Sequence, residues 1–239
     1  MLSIIIPTLN EEKVLEQTIK SLRELNICKY EIIVSDGKSI DNTLTIAEKY
    51  ADKIISYKGE ERQTIAMGRN LGASIADGDY LVFIDGDVMI PDINNFFIKA
   101  LNLFEKKKLV GLTVYVRVFP EMSTLSDRLI FGAINNSHYI LNNLLNVGSA
   151  IGEFQMIETS AFKKLNGYNE KIVVGEDRDM FSRLSKIGQV HIEPSLTVLH
   201  TSRRAHNVGW ASLVAFWMKN TIYLKLYKRS SVTEWKPIR

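Results

Sequence analysis

Asp79-Tyr80-Leu81-Val82-Phe83-Ile84-Asp85-Gly86-Asp87 is a short apolar run that stops abruptly at two carboxylates one residue apart. Four to six apolar residues bounded by glycine and charge read as a strand covered on both faces, as in a parallel sheet. Acids at the carboxyl end of such a strand sit where open α/β sheets bind their ligands. Paired carboxylate oxygens suit a hard cation, Mg²⁺ or Mn²⁺, and such an ion can grip a diphosphate. Asp and Gly also build ordinary turns, so the segments around this run must decide.

Working outward, strand and helix patterns alternate through the first hundred residues. Leu2–Pro7, Glu31–Ser35, Lys53–Ser56, Tyr80–Ile84 and Leu109–Val116 read as strands. Helical patterns follow Thr8, whose spacing to Glu11 suits a capping box, and span 43–50, 62–75 and 94–107. This alternation argues for βαβ units and a mainly parallel sheet flanked by helices. After Arg117 the pattern changes. Residues 121–147 are helical or loop-like, 154–159 and two short runs at 190–193 and 196–200 read as strands, and 177–187 as a helix. Residues 207–228 read as one long apolar helix.

The chain has 239 residues, 46% hydrophobic and 24% charged, which is ordinary for a soluble globular protein and long enough for one large α/β domain or two small ones. One cysteine, Cys28, allows no internal disulfide, and no Cys/His cluster has zinc spacing. No signal peptide and no apolar run of membrane-spanning length is evident, so a cytoplasmic location is expected. The net charge of +3 is uneven. Residues 203–239 hold eight Lys and Arg against Glu234 alone, a net +7, which leaves −4 for residues 1–202. Such a tail suits an anionic surface or is simply a solvated basic face.

Two loops flank the acidic pair. Pro7-Thr8-Leu9-Asn10-Glu11 leaves the first strand, and its amides with Thr8 and Glu11 suit a nucleoside. Asp36-Gly37-Lys38-Ser39-Ile40-Asp41-Asn42-Thr43 leaves the second, where Asp36 suits a base or ribose. Neither is a Walker A loop or a G-x-G-x-x-G fingerprint, so nucleotide kinases and dinucleotide enzymes lose support.

Taken in order, these segments resemble the family 2 glycosyltransferases, which have the GT-A fold. Ser3–Glu11 looks like the family's opening strand and loop, and 36–43 like its D-G-x-S-x-D-x-T loop. Arg69-Asn70-Leu71-Gly72-Ala73-Ser74-Ile75-Ala76-Asp77-Gly78-Asp79 is similar to its R-N-x-G helix and turn, and Asp85-Gly86-Asp87 to its D-x-D motif. The resemblance covers roughly residues 2–204. It implies an enzyme that transfers a sugar, with inversion, from a UDP- or GDP-sugar, with Mg²⁺ or Mn²⁺ as cofactor. Asp85 and Asp87 are the expected metal ligands. Pro7, Thr8, Asn10, Glu11, Asp36, Arg62, Arg69, Asp85, Gly86, Asp87, Arg203 and Arg204 are the expected donor-binding set. The arginine fork suits the diphosphate.

Gly152-Glu153-Phe154-Gln155-Met156-Ile157, then Gly167-Tyr168, resembles the acceptor-side segment, with Asn166 in place of one paired glycine. Glu153, Phe154 and Gln155 are therefore the expected acceptor contacts. Gly175-Glu176-Asp177-Arg178-Asp179 resembles the E-D motif, which makes Asp177 the expected catalytic base beside Glu176. A carboxylate at a helix N-terminus is held ionised by the dipole, although both acids also suit simple capping. His200, which ends a strand, is expected to complete the metal shell. His138, His191 and His206 are read as ordinary packed or surface histidines.

The domain plan is thus a catalytic unit over 1–204, with a donor half 1–117 and an acceptor half 118–204, followed by a basic amphipathic tail over 205–239. Trp210, Leu213, Val214, Trp217, Thr221 and Leu224 recur at helical spacing. That stripe fits core packing, a homodimer interface or a peripheral helix in a membrane surface. Leu125, Leu129, Phe131, Ile140, Leu144 and Leu145 make 121–147 unusually apolar, as a lipid-linked acceptor such as a polyprenyl phosphate would require. A sugar acceptor is the other expectation, and nucleic acid is not expected. Two rivals remain. A sugar-1-phosphate nucleotidyltransferase would carry a Gly-rich, Arg-containing loop after the first strand, which Pro7–Asn10 is not. A non-catalytic binding module would not need Asp85, Asp87 and Asp177 together.

Overall fold

The computed structural model describes residues 1–227 and 229–234, the side chain of Lys225 excepted. Seven strands, β1 Leu2–Thr8, β2 Tyr30–Asp36, β3 Lys53–Ser56, β4 Tyr80–Ile84, β5 Leu109–Val118, β6 Phe154–Glu158 and β7 Gln189–His200, form one sheet in the order β3-β2-β1-β4-β6-β5-β7. β1 pairs in parallel with β2 and β4, β2 with β3, and β5 with β7. β6 alone runs antiparallel, between β4 and β5. This is the GT-A architecture expected. One sheet spans both halves, and the 117/118 division falls inside β5.

Helices cover both faces: α1 Leu15–Leu22, α2 Thr43–Tyr50, α3 Ile65–Ala73, α4 Ile93–Lys107, α5 Leu125–Tyr139, α6 Thr159–Lys164, α7 Glu176–Leu184, α8 Arg203–Val208 and α9 Trp210–Tyr227. A π-helical turn, Ile140–Leu144, extends α5. Side chains alternate across each strand. Val82 and Ile84 enter one core with Ile4, Ile6 and Phe97, while Leu81 and Phe83 enter the other with Ile5, Ile33 and Phe162. A continuous apolar run is what a strand buried on both faces needs. Phe83 is fully buried, and burying one such ring stabilises the fold by roughly 1.5–3 kcal/mol. Gly72 lets α3 approach β1, since a Cβ there would lie 2.4 Å from Ile5 Cγ2.

Several local expectations are corrected. Thr8 caps no helix. It ends β1, and α1 starts only at Leu15 without a side-chain cap. α3 begins three residues later than its pattern, because the Thr64 hydroxyl takes Met67 N at 3.1 Å and Arg62 stays in the loop. The last two predicted strands are one, β7, interrupted by a register shift between Val114 and Tyr115 of its partner β5. The long tail helix is two helices, because Gly209 takes a left-handed φ of 81° between α8 and α9. Lys228 and residues 235–239, counted in that tail, lie outside the described residues.

Candidate active site

The parallel strands β1, β2 and β4 finish on one edge of the sheet, where a cleft of about 290 Å³ opens. Pro7, Thr8, Leu9 and Gly37 form one wall with the loop 62–65. Glu11, Asp85, Gly86 and Asp87 make the floor. Glu153, His200 and residues 202–205 face them, and Phe131, Trp210, Leu213 and Trp217 close the far side.

At the floor, Arg203 donates from Nε to Asp87 Oδ2 at 3.1 Å and from Nη2 to Glu11 Oε2 at 3.2 Å. Thr201 Oγ1 donates to the same Asp87 oxygen. Asp85 accepts from Arg69 Nη2 at 3.3 Å. Arg69 lies beneath the cleft rather than in it. It is 1% exposed, donates to Glu176 Oε1 at 2.8 Å and Gly152 O at 2.9 Å, and faces the Tyr168 ring at 5.4 Å. Burial opposes its charge, but Tyr168, Glu176, Asp85 and Asp177 hold its pKa above the usual value. Gly152 sits where these groups converge. A Cβ there would lie 3.3 Å from Arg69 Nη2, 3.7 Å from Asp177 Oδ2 and 3.8 Å from Asp85 Oδ2.

Acidic side chains outnumber arginines at the site, and burial disfavours their ionisation. Burial, with Asp87 and Glu176 nearby, pushes Asp85 up to about 6 against the pull of Arg69. Burial and the Asp85, Asp177 and Asp87 charges push Glu153 up to about 8. Burial also raises Asp177 and, with the adjacent Asp177 charge, Glu176, each opposed by Arg69. His200 is held below its usual range by burial. Its Nδ1 stands 3.6 Å from Glu153 Oε1, and its buried Nε2 has no hydrogen-bond partner. An acid-rich floor beside an unpartnered imidazole nitrogen fits a cation. Among the described residues no three His, Cys, Asp or Glu side chains form a ready cage. That fits Mg²⁺ or Mn²⁺, which take one or two carboxylates and complete their shell with phosphate oxygens and water.

Other expected contacts are placed elsewhere. The Asp36 carboxylate is buried and accepts from Lys38 N at 2.9 Å, Ser39 N at 3.0 Å and Ser39 Oγ at 2.5 Å, so it shapes its loop and leaves Gly37 to line the cleft. Asn10, at a left-handed φ of 57°, accepts from Ile40 N at 2.8 Å and ties the two loops together. Phe154 is a core ring against Phe96, and Gln155 accepts from Tyr168 OH at 2.6 Å on the opposite face. Of the acceptor trio only Glu153 lines the cleft.

Sequence reasoning missed Asp127. This buried carboxylate completes the capping box of α5 by accepting from Thr124 N at 2.8 Å, and it accepts from His206 Nε2 at 2.9 Å and Trp210 Nε1 at 2.8 Å, clamping α8 and α9 beside the site. Burial opposes its ionisation, but His206, Thr124 and Trp210 outweigh that and hold it down to about 2. Its only local signal is the Thr124-to-Asp127 capping spacing.

The sequence profile described as glycosyl transferase family 2 matches residues 3–165. The poly(ribitol-phosphate) beta-N-acetylglucosaminyltransferase TarS of Staphylococcus aureus is 35% identical over 147 residues, which cover 54% of this chain and 26% of TarS. The succinoglycan biosynthesis protein ExoA of Rhizobium meliloti is 27% identical over 193 residues, 77% of this chain and 58% of ExoA. The chain thus spans only part of the length of these relatives. Among solved structures, the mannosyltransferase PcManGT of Pyrobaculum calidifontis, in complex with GDP-Man and Mn²⁺, superposes with a TM-score of 0.68 at 16% identity, covering 84% of this chain and 56% of that one. The ordered strands, the acidic strand end and the profile match over two thirds of its length agree: the chain belongs to glycosyl transferase family 2.

Proposed function

We propose that this chain transfers a sugar from a UDP- or GDP-sugar to an acceptor hydroxyl or phosphate, with inversion. The observation that carries the reading is the Asp85–Asp87 floor and the Arg203 fork in one cleft, with the Asp177 carboxylate beside it, close to Asp85 across Gly152. The nucleoside lies along Pro7, Thr8, Leu9 and Gly37, with Glu11 and Arg62 beside it. Arg203 and Arg204 take the diphosphate.

Asp85, Asp87 and His200 would hold Mg²⁺ or Mn²⁺. The acid excess and the unpartnered His200 Nε2 support this, as does the Mn²⁺ bound by the mannosyltransferase of similar fold. Such an ion, when bound, neutralises charge that develops on the leaving diphosphate. Asp177 accepts the proton of the acceptor hydroxyl as its oxygen bonds to the anomeric carbon. The bond from that carbon to the diphosphate oxygen breaks, and the diphosphate leaves with the electron pair beside Arg203. Burial raises Asp177, which makes it a better base while Arg69 keeps it ionisable. Glu176 is bound to Arg69 and orients the segment.

A lipid-linked acceptor, presented at a membrane surface, is the finer proposal. Leu125 and Leu129 on α5, and Leu144 and Leu145 beyond it, stand exposed, as do Met218, Ile222 and Leu226 on α9. Large exposed apolar side chains in such number suit an apolar partner, and the basic tail suits anionic headgroups. Among the described residues no helix is long and apolar enough to cross a membrane, and the contact proposed is a peripheral one. The test of the donor reading is binding and turnover across a panel of UDP- and GDP-sugars with Mn²⁺. Binding of none of them overturns it.

A further inference from the structure

The chain crosses its own cleft. Beyond α9, Ser230 Oγ accepts from Val173 N at 2.9 Å and Val174 N at 3.1 Å. Asn220 donates to Val174 O at 2.7 Å and accepts from Ser231 N at 2.8 Å. These bonds root the segment on the residues that lead into Gly175, Glu176 and Asp177. Its tip reaches the opposite wall, where Glu234 forms an ion pair with Arg62, and Thr233 and Glu234 line the cleft. The only carboxylate of the basic tail is thus set on a cleft arginine.

We propose that residues 230–234 are a strap that closes the cleft of the free protein, with the Glu234 carboxylate holding Arg62 until a nucleoside diphosphate takes its place. The inference rests on the donor reading above and adds a competitor for the same cation. The two ends of the strap differ in strength. Asn220 and Ser230 at the root are buried, at 3% and 9% exposure. The Arg62 and Glu234 side chains are 37% and 40% exposed. An exposed ion pair is weak and screened by salt, so the tip opens while the root holds.

Calorimetric titration of UDP and GDP into the wild type, Glu234→Gln, Arg62→Gln, Arg62→Lys and each Arg62 variant combined with Glu234→Gln tests this. Glu234→Gln is expected to bind about 2–5-fold more tightly at low salt, the scale of one exposed pair. The gain disappears in the Arg62→Gln background and persists with Arg62→Lys. An equal gain with Arg62→Gln would mean a general field effect and overturn the strap. Unchanged or weaker binding by Glu234→Gln overturns it too, while leaving the donor reading intact. If neither nucleotide binds any form, strap and donor reading fall together.

Discussion

Arg69 Nη1 and Glu176 Oε1 lie 2.8 Å apart across 107 residues of sequence, both buried. Through its second terminal nitrogen the same guanidinium reaches Asp85 and Gly152 O. One internal cation therefore joins the end of β4, which carries the acidic floor, to the start of α7, which carries Asp177. The family-like arginine serves from beneath the site, fixing how the two halves of the cleft face each other.

Removing one member of a buried pair leaves an uncompensated charge, which costs about 3–5 kcal/mol. Arg69→Met is expected to lose stability on that scale in urea unfolding, the larger because it strands both Glu176 and Asp85. Pairing it with Glu176→Gln should cost less than the two single losses added, since the second change removes a stranded charge. Simple additivity would show that the two residues do not act as a unit.

Asp177 and Glu176 are adjacent, and the proposed mechanism employs them differently. Asp177→Asn keeps the size of the side chain and removes its basic oxygen, so transfer should fall about 10²–10⁴-fold with nucleotide binding intact. Glu176→Gln should lower stability and slow transfer less. A dead Glu176→Gln beside an active Asp177→Asn would move the base by one residue. Activity in both would point to a phosphate acceptor that needs no base.

The sheet was legible because β1, β2 and β4 are apolar on both faces, and the cleft because its acids end one of those strands. The direction of β6 was not legible. Its five residues alternate like any strand, and pairing between β4 and β5 sets its sense. Phe154 and Gln155 look like acceptor contacts in sequence, but a strand inside a sheet sends neighbours to opposite faces, and both are fully buried. Asp36 and Asn10 look like ligands in sequence, and only loop geometry shows their oxygens already occupied. Asp127, Trp210 and Glu234 meet the site through contacts spanning 79 to 172 residues, which no local pattern records.

Metal dependence has its own test. With Asp85 and Asp87 as ligands, nucleotide affinity should rise with added Mn²⁺ or Mg²⁺ and fall on chelation. Asp87→Ala should abolish most of that rise and turnover with it. It also frees Arg203 and Thr201, so metal-free nucleotide affinity should hold or improve. Full activity in EDTA would remove the metal from the mechanism.

Asp127 gives a pH signature. Its folded value, about 2, lies below the roughly 3.9 of an unfolded aspartate. Its contribution is therefore complete above pH ~4 and fades as pH falls toward 2, a span worth about 2–3 kcal/mol. The stability gap between wild type and Asp127→Asn, measured in urea, should be widest near pH 6 and narrow steadily below pH 4. A gap independent of pH would assign Asp127 a packing role without charge.

Met218, Ile222 and Leu226 lie four residues apart on α9 and are 62%, 55% and 68% exposed, while Leu213 and Asn220 of the same helix are buried. The helix is thus seated on the domain by one side and apolar on the other, with exposed Lys219 on the outer side. Burying three such side chains in an interface would contribute several kcal/mol at roughly 25 cal/mol per Å², and each nearby cation adds about 1 kcal/mol at an anionic surface. Co-sedimentation with vesicles containing anionic lipid should therefore capture the wild type at low salt, and neutral vesicles should capture less. Replacing all three residues by Asn leaves the buried side untouched and should abolish capture while nucleotide binding persists. A second copy of the chain could cover the same face, and gel filtration separates the cases: a dimer that the triple Asn variant splits, with no vesicle binding, would make this face a subunit interface and remove the support for a membrane-presented acceptor.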